Sequence, residues 1–117
     1  MKDSILRTKS KAFALRVVRL YKFLRDRKEA VIAKQMLRSG TSVGANIAES
    51  RYAQSKTDFA SKLQIALKEA AETEYWLELL RDSELVEPSP AFDSLCVDCT
   101  ELIKLLTASV KTAKESV

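Results

Sequence analysis

The middle of this 117-residue chain has a repeat that constrains its fold more than any other feature. Between Ser55 and Ser83, small or apolar residues recur at alternating steps of four and three, at Phe59, Leu63, Ala66, Ala70, Thr73, Leu77 and Leu80. That spacing is typical of helices packed side by side in a left-handed bundle. Ser55 and Asp58 precede the repeat in the arrangement of a helix-capping box. The sequence therefore predicts a long helix, called segment three, with one face in a bundle core.

Two flanking segments also have a helical period. Segment one runs from about Ser4 to Arg27, and segment four from about Ala91 to Lys114. Apolar residues at steps of three and four predict an amphipathic helix for each. The predicted core positions are Leu6, Phe13, Val17, Leu20 and Leu24 in segment one, with Tyr21 at the edge, and Phe92, Leu95, Cys99, Leu102 and Leu106 in segment four, with Val110 or Ala113.

Segment two, from about Lys28 to Gln54, has helical spacing at Ile32, Met36, Val43 and Ile47 but contains both glycines of the chain. A glycine inside a helix costs about 1 kcal/mol relative to alanine. Close approach of another helix to the face of Gly40 and Gly44 would offset that cost, so we expect a continuous or mildly kinked helix. The alternative is a break between Ser39 and Ser42, with a hydroxyl side chain capping the second piece.

Turn-forming residues are scarce, with only 2 Gly and 2 Pro in the chain. A β-sandwich or barrel needs a turn about every 8–12 residues, which this composition does not supply. Pro88 and Pro90 mark the one obvious loop. We therefore predict an all-α fold, an antiparallel up-down-up-down four-helix bundle that forms a single domain over residues 1–117.

The chain has no histidine. This excludes Ser-His and Cys-His nucleophile systems, two-histidine zinc motifs and the Glu-x-x-His iron sites of ferritin-like bundles. Cys96 and Cys99 lack the βαβ context of a redox motif and the further ligands of a zinc site, so we expect them to pack as small apolar residues. The sequence predicts no catalytic residue, no metal and no cofactor.

Segment three also carries a group of acids, Glu69, Glu72, Glu74 and Glu78. Because the core positions of that helix are already occupied, these acids fit a solvated face better than an acid-base pair or a metal cluster. Glu74 is the best placed of them for an ion pair between helices. We therefore expect a protein that is not an enzyme.

The start of the sequence has no apolar run of the kind found in a secretory signal. No stretch approaches the roughly 20 apolar residues of a membrane-spanning helix. Two cysteines are too few to hold together a small secreted domain. We expect a cytoplasmic protein with no membrane partner.

The net charge of +4 conceals an uneven distribution. Residues 1–38 hold 12 Lys or Arg and three acids, a net charge of +9, whereas residues 39–117 have a net charge of −5. An excess of bases along one helix favours a polyanionic partner, although a merely solvated helix face remains the alternative. The predicted nucleic-acid-binding residues are Lys9, Lys11, Arg16, Arg19, Lys22, Arg25, Arg27 and Lys28. A small apolar patch, Leu15 with Val18, lies among them and away from the main stripe.

Segment two contains polar residues on a helix otherwise committed to packing. Buried polar groups must find partners, so we expect an interhelical network that fixes the register of the bundle. Its predicted members are Gln35, Arg38, Asn46 and Glu49.

Residues 34–49, KQMLRSGTSVGANIAE, resemble the signature of the four helix bundle protein family, whose founding members are encoded in intervening sequences of bacterial large-subunit ribosomal RNA genes. Further resemblance lies in K-x-F-A from residue 11, S-K-x-D-F from residue 55 and K-E-A-x-E-T-x-Y-W-L from residue 68. The resemblance implies an all-α bundle that assembles as a homopentameric ring without enzymatic activity. Similar proteins include the accessory variability determinant of diversity-generating retroelements, a basic pentamer that binds nucleic acid and the reverse transcriptase. RNA or DNA and a reverse transcriptase are therefore the partners that the resemblance implies.

Two hypotheses for function remain. The leading one is a non-catalytic oligomeric bundle that binds RNA or DNA backbone through the basic first helix, largely independently of sequence because no base-reading motif is present. The alternative is a protein-protein interaction scaffold, in which the Leu15 and Val18 patch and the charge asymmetry serve homo-oligomer assembly.

Overall fold

Four α-helices make up most of the chain. The computed structural model describes residues 2–117, with side chains from residue 5 onward; Met1, which the predicted domain includes, lies outside the described residues. The helices are α1 (Lys2–Asp26), α2 (Val31–Ser50), α3 (Lys56–Asp82) and α4 (Pro90–Glu115). They lie antiparallel in a body of 46 × 21 × 20 Å, and each packs against its two neighbours around the ring. The predicted all-α, up-down-up-down bundle is confirmed.

The core consists of the predicted stripes. In α1, Phe13, Val17 and Leu24 are at most 1% exposed, and in α3 the repeat from Leu63 to Leu80 is fully buried. Both candidates at the end of α4 are buried. Four predicted core residues are only partly buried, at the edges of the stripes: Leu20, Tyr21, Ile32 and Phe59. The helical period therefore located the core of all four helices.

Segment two is one continuous helix, so the alternative of a break between Ser39 and Ser42 is wrong. A methyl group at Gly40 would lie 2.9 Å from Cγ1 of Val17 in α1, closer than carbon atoms pack. At Gly44 it would lie 3.6 Å from the carbonyl oxygen of Ser10, an ordinary contact. The close approach of α1 to α2 therefore requires a glycine at the first position only.

One pair of buried hydroxyl groups lies inside the core. The Thr73 hydroxyl of α3 donates to the Ser39 hydroxyl of α2 at 2.8 Å and also lies 2.8 Å from the Glu69 carbonyl oxygen of its own helix. Because the hydroxyl groups have partners, threonine fits the predicted core repeat without an unsatisfied polar group.

The helix ends form without glycine. Lys28 and Glu84 adopt left-handed backbone conformations, with φ of 65° and 62°. At each, the following amide bonds back to a carbonyl five residues earlier, from Glu29 to Leu24 and from Leu85 to Leu80, which is the Schellman arrangement. Both glycines of the chain lie within α2, so a lysine and a glutamate adopt the left-handed conformation here, which is energetically unfavourable for residues with a side chain.

Serines cap the first turns of α3 and α4. Ser55 Oγ accepts from the Asp58 amide at 3.0 Å, and Ser89 Oγ accepts from the Phe92 amide at 3.1 Å. The Asp58 carboxylate accepts from the Gln54 amide, one residue before the position expected in a capping box. The predicted start of segment three is therefore confirmed. None of the described helices has an apolar stretch long enough to cross a membrane.

Candidate nucleic-acid interface

The side of α1 opposite its core stripe presents basic residues to solvent. Lys11, Arg19 and Lys22 are all exposed. Within the described part of the chain, none of the three forms a salt bridge or a side-chain hydrogen bond. Lys11 and Lys22 are three helical turns apart, about 16 Å along the axis. These three charges are therefore free to meet an external anion.

Two of the eight predicted residues turn instead toward α4. Lys9 Nζ lies 2.9 Å from Glu101 Oε1. The Arg16 guanidinium lies 2.5 Å from Asp98 Oδ2 and donates to the Ala91 carbonyl oxygen at 2.8 Å. Lys9 and Arg16 therefore hold α1 against α4, and their charges are partly neutralised within the chain.

The remaining three predicted residues lie at the end of α1. Arg25 pairs at 3.3 Å with its sequence neighbour Asp26, both side chains being more than half exposed, so this pair is weak. The Arg27 guanidinium carbon lies 5.2 Å from the centre of the Phe23 ring. The Schellman turn at Lys28 places all these side chains at one end of the bundle.

The apolar patch among the bases is also exposed. Leu15 is 48% exposed and Val18 37%. Both lie on the outward side of α1, between Lys11 and Lys22 in the helical pattern. The bundle core therefore leaves this patch uncovered, as predicted from its position off the stripe.

Phe23 was missed by the sequence prediction. Phe23 is 52% exposed and lines a cavity of about 380 Å³ between α1, the loop after α3 and the start of α4. Arg16, Arg19 and Arg27 line this cavity together with buried apolar side chains. Its position off the core stripe of α1 could have identified Phe23, as the same feature identified Leu15 and Val18.

The predicted network of Gln35, Arg38, Asn46 and Glu49 is wrong as a single cluster. Glu49 pairs with Lys62 of α3 at 3.0 Å, and Asn46 donates to the Ser42 carbonyl oxygen of its own helix. Gln35 is exposed, with no side-chain hydrogen bond to a described residue. These residues are spread along about 20 Å of helix, so they do not form one network.

Arg38 belongs to a different cluster. Its guanidinium bonds to Glu69 at 3.1 Å and to Glu72, which also accepts from the Trp76 indole at 2.8 Å. Hydrogen bonds from Trp76 and Arg38 hold the pKa of the Glu72 carboxyl below its ordinary value. Glu74, the acid favoured by the sequence for an ion pair, instead faces the Thr100 hydroxyl of α4. Arg38 of α2 thus pairs with Glu72 and Glu69 of α3, two and five residues before the predicted Glu74.

The cysteines pack as expected. Cys99 is fully buried, its thiol donates to the Ala70 carbonyl oxygen at 3.4 Å, and burial raises its pKa to about 12. Cys96 is partly buried and also a free thiol. Among the described residues, no three His, Cys, Asp or Glu side chains come together as metal ligands would.

The fold and the charged outer face define a class, a small all-α four-helix bundle with a basic first helix. A family model described as "23S rRNA-intervening sequence protein" matches residues 2–108. The chain therefore belongs to the 23S rRNA-intervening sequence protein family.

A solved structure supports the same assignment. It is described as a protein with unknown function from the S23 ribosomal protein family of Bacteroides thetaiotaomicron. It is 54% identical to this chain, with a TM-score of 0.89, and the match covers 95% of this chain and 99% of that one. No curated protein matches the chain.

Proposed function

We propose that this protein is a non-catalytic cytoplasmic bundle that binds the backbone of RNA or DNA through the outward face of α1. The observation that carries the proposal is the set of exposed, unpaired bases Lys11, Arg19 and Lys22 on one side of one helix. Arg25, Arg27 and Lys28 extend that surface at the end of α1. Lys9 and Arg16 are left out because each already has a carboxylate partner on α4.

Backbone contacts of this kind are additive and sensitive to salt. Each Lys or Arg that meets a phosphate displaces counterions and adds about one unit to the dependence of log affinity on log salt concentration. One helix face offers about four such contacts, which gives weak binding, and repetition around an oligomer would strengthen it. Assembly as a homo-oligomer, a pentamer by the family resemblance, is part of the proposal. The reverse transcriptase partner stays a prediction.

A non-catalytic role also fits the acids of α3. Glu69 and Glu72 are engaged by Arg38, and Glu72 by the Trp76 indole. A general acid or base works best with a pKa near the working pH, and the pKa of the Glu72 carboxyl is lowered away from it. These contacts support a structural interpretation of the acids.

The scaffold hypothesis has one specific observation in its favour. Leu15 and Val18 form an exposed apolar patch between Lys11 and Lys22. A second protein, or another copy of this chain, could cover the patch and place the lysines at the rim of the interface. The two hypotheses therefore assign different roles to the same surface.

A charge-reversal experiment separates them. The double variant Lys11→Glu, Lys22→Glu is compared with a matched control, Lys68→Glu, Lys111→Glu, which alters exposed lysines of α3 and α4 and changes the net charge equally. Binding to a 23S ribosomal RNA fragment and to duplex DNA is measured by gel shift at about 50 mM salt, and assembly by light scattering. Because two attractive contacts become repulsive, the proposal predicts an affinity loss of about tenfold or more in the first variant alone, with assembly kept.

Loss of assembly in the Lys11 and Lys22 variant, without an effect on affinity per subunit, would favour the scaffold. Absence of any gel shift by the unaltered protein at low salt would refute the nucleic-acid proposal outright.

A further inference from the structure

The cavity beside Phe23 lies next to the proposed backbone-binding face but differs from it in chemistry. It lies between the second half of α1, the loop that joins α3 to α4 and the first turns of α4. Its inner wall is apolar, with Leu95 and Phe92 buried in the bundle core and Val86 8% exposed. At about 380 Å³ it is within the size range of sites that hold small organic groups.

The mouth of the cavity combines an aromatic ring with unpaired positive charge. Phe23 presents about half of its surface to solvent, and the Arg27 guanidinium lies 5.2 Å from the ring centre. Arg19 and Arg27 form no salt bridge with any residue that the structure describes. Three arginines line the cavity against a single acid, Glu87, so the lining is net positive. Such a site suits a ligand with a flat apolar part and a negative group attached to it.

We propose that this cavity takes an unpaired nucleotide, with its base against Phe23 and a flanking phosphate on Arg19 or Arg27. Aromatic rings beside arginines are a recurrent arrangement in proteins that bind single strands, because every base has a flat face that can stack. A base within a duplex is stacked on its neighbours and cannot enter. The inference rests on the proposed function and adds to it a preference for unpaired segments.

The chain contains a second exposed aromatic ring beside an arginine, which serves as a control. Tyr52, in the connection after α2, is 80% exposed, and the Arg51 guanidinium carbon lies 5.8 Å from its ring centre. Tyr52 does not line the Phe23 cavity. A Tyr52→Ala variant therefore removes a similar ring beside a similar charge, away from the proposed site.

The experiment measures the affinity of the full chain for an oligouridine of about 12 nucleotides and for an RNA duplex of the same length, by fluorescence anisotropy at low salt. Phe23→Ala is expected to weaken binding of the single strand about tenfold, the loss typical of one stacked base. Binding of the duplex should change less than about twofold. Phe23→Tyr, which keeps the ring, should restore the single-strand affinity, and Tyr52→Ala should leave it unchanged.

Equal single-strand affinity in Phe23→Ala and the unaltered protein would overturn the inference while leaving the backbone proposal in place. An equal loss for both RNAs together with a smaller particle in light scattering would also overturn it, because the cavity would then serve assembly. If the unaltered protein binds neither RNA, this inference fails, and if it does not bind duplex DNA either, the proposed function fails with it. Thermal melts of each variant distinguish these outcomes from a loss of folding.

Discussion

The two sides of α1 are built in opposite ways. Toward α2, Gly40 lets the helix backbones approach until Val17 fills the space where a side chain would be. Toward α4, contact is looser, and the Arg16 and Lys9 ion pairs cross it. The Phe23 cavity lies at one end of that interface, and a smaller cavity of about 60 Å³ beside Ile5 lies toward the other. The tight side fixes the fold, whereas the loose side leaves room for a ligand.

The largest effect is expected on the tight side. Gly40→Ala places a methyl group 2.9 Å from a β-branched side chain that is fully buried. Overpacking destabilises a protein by about 1–3 kcal/mol, and the higher helix propensity of alanine offsets only about 1 kcal/mol of this. We therefore expect the free energy of unfolding to fall by about 1 kcal/mol. At Gly44 there is room for a methyl group, so Gly44→Ala should raise the free energy of unfolding by up to about 1 kcal/mol. Urea unfolding of both variants measures the difference of about 2 kcal/mol.

Equal stability of these two alanine variants would contradict the close approach of α1 to α2. The comparison needs no reference to function, because neither glycine lies on the proposed binding surface.

The loose side is tested by Arg16→Ala. Its guanidinium bonds to Asp98, Ser94 and the Ala91 carbonyl oxygen, and its side chain is 29% exposed. Because the site is partly solvated, we expect Arg16→Ala to lower the free energy of unfolding by about 1 kcal/mol. Lys9→Ala should lower it by only a few tenths of a kcal/mol, because the ion pair of Lys9 is more exposed. Chemical unfolding measures both, and the affinity of Lys9→Ala for nucleic acid should match that of the unaltered protein. A large loss of affinity in Lys9→Ala would place the interface on the α4 side of the helix.

Acid should weaken a third contact, between α2 and α3. The pKa of Glu72 is below its ordinary value near 4.5, chiefly because Trp76 and Arg38 donate to its carboxylate. The stabilisation is therefore present above pH 4.5 and is lost as the pH falls through the lowered pKa. Between neutral and acid pH, the free energy of unfolding of Glu72→Gln should therefore fall by up to about 1 kcal/mol less than that of the unaltered protein. Trp76, the single tryptophan of the chain, reports the transition by fluorescence; identical pH profiles for both proteins would contradict the assignment.

Small effects are also expected at the helix ends. Lys28→Gly and Glu84→Gly each relieve a left-handed conformation and should stabilise the chain by about 0.5–1 kcal/mol. Only Lys28→Gly removes a charge from the proposed surface, so it alone should weaken nucleic-acid binding. Thermal melts and gel shifts on the two variants check both statements. If either glycine variant is less stable than the unaltered protein, the native side chain stabilises the fold by more than its left-handed conformation destabilises it.

Sequence periodicity was enough to predict the fold and most of the core. Steps of three and four fix which face of each helix is buried, and Gly40 signalled the close approach. Partner choice was less predictable, since Glu72 and Glu74 are two residues apart but face different helices. The same limit applies to Arg16 and Phe23, because the packing of α4 and the loop before it decides whether a side chain on α1 is paired, free or at a cavity mouth.

The most direct test of the proposed interface is the salt dependence of affinity for duplex DNA. Three proteins are compared: the unaltered protein, a triple variant that combines Lys11→Gln, Arg19→Gln and Lys22→Gln, and the control variant Lys9→Gln. If the outward face binds phosphates, the slope of log affinity against log salt should fall by about three units in the triple variant and stay unchanged in the control. Equal slopes in all three proteins would contradict the account.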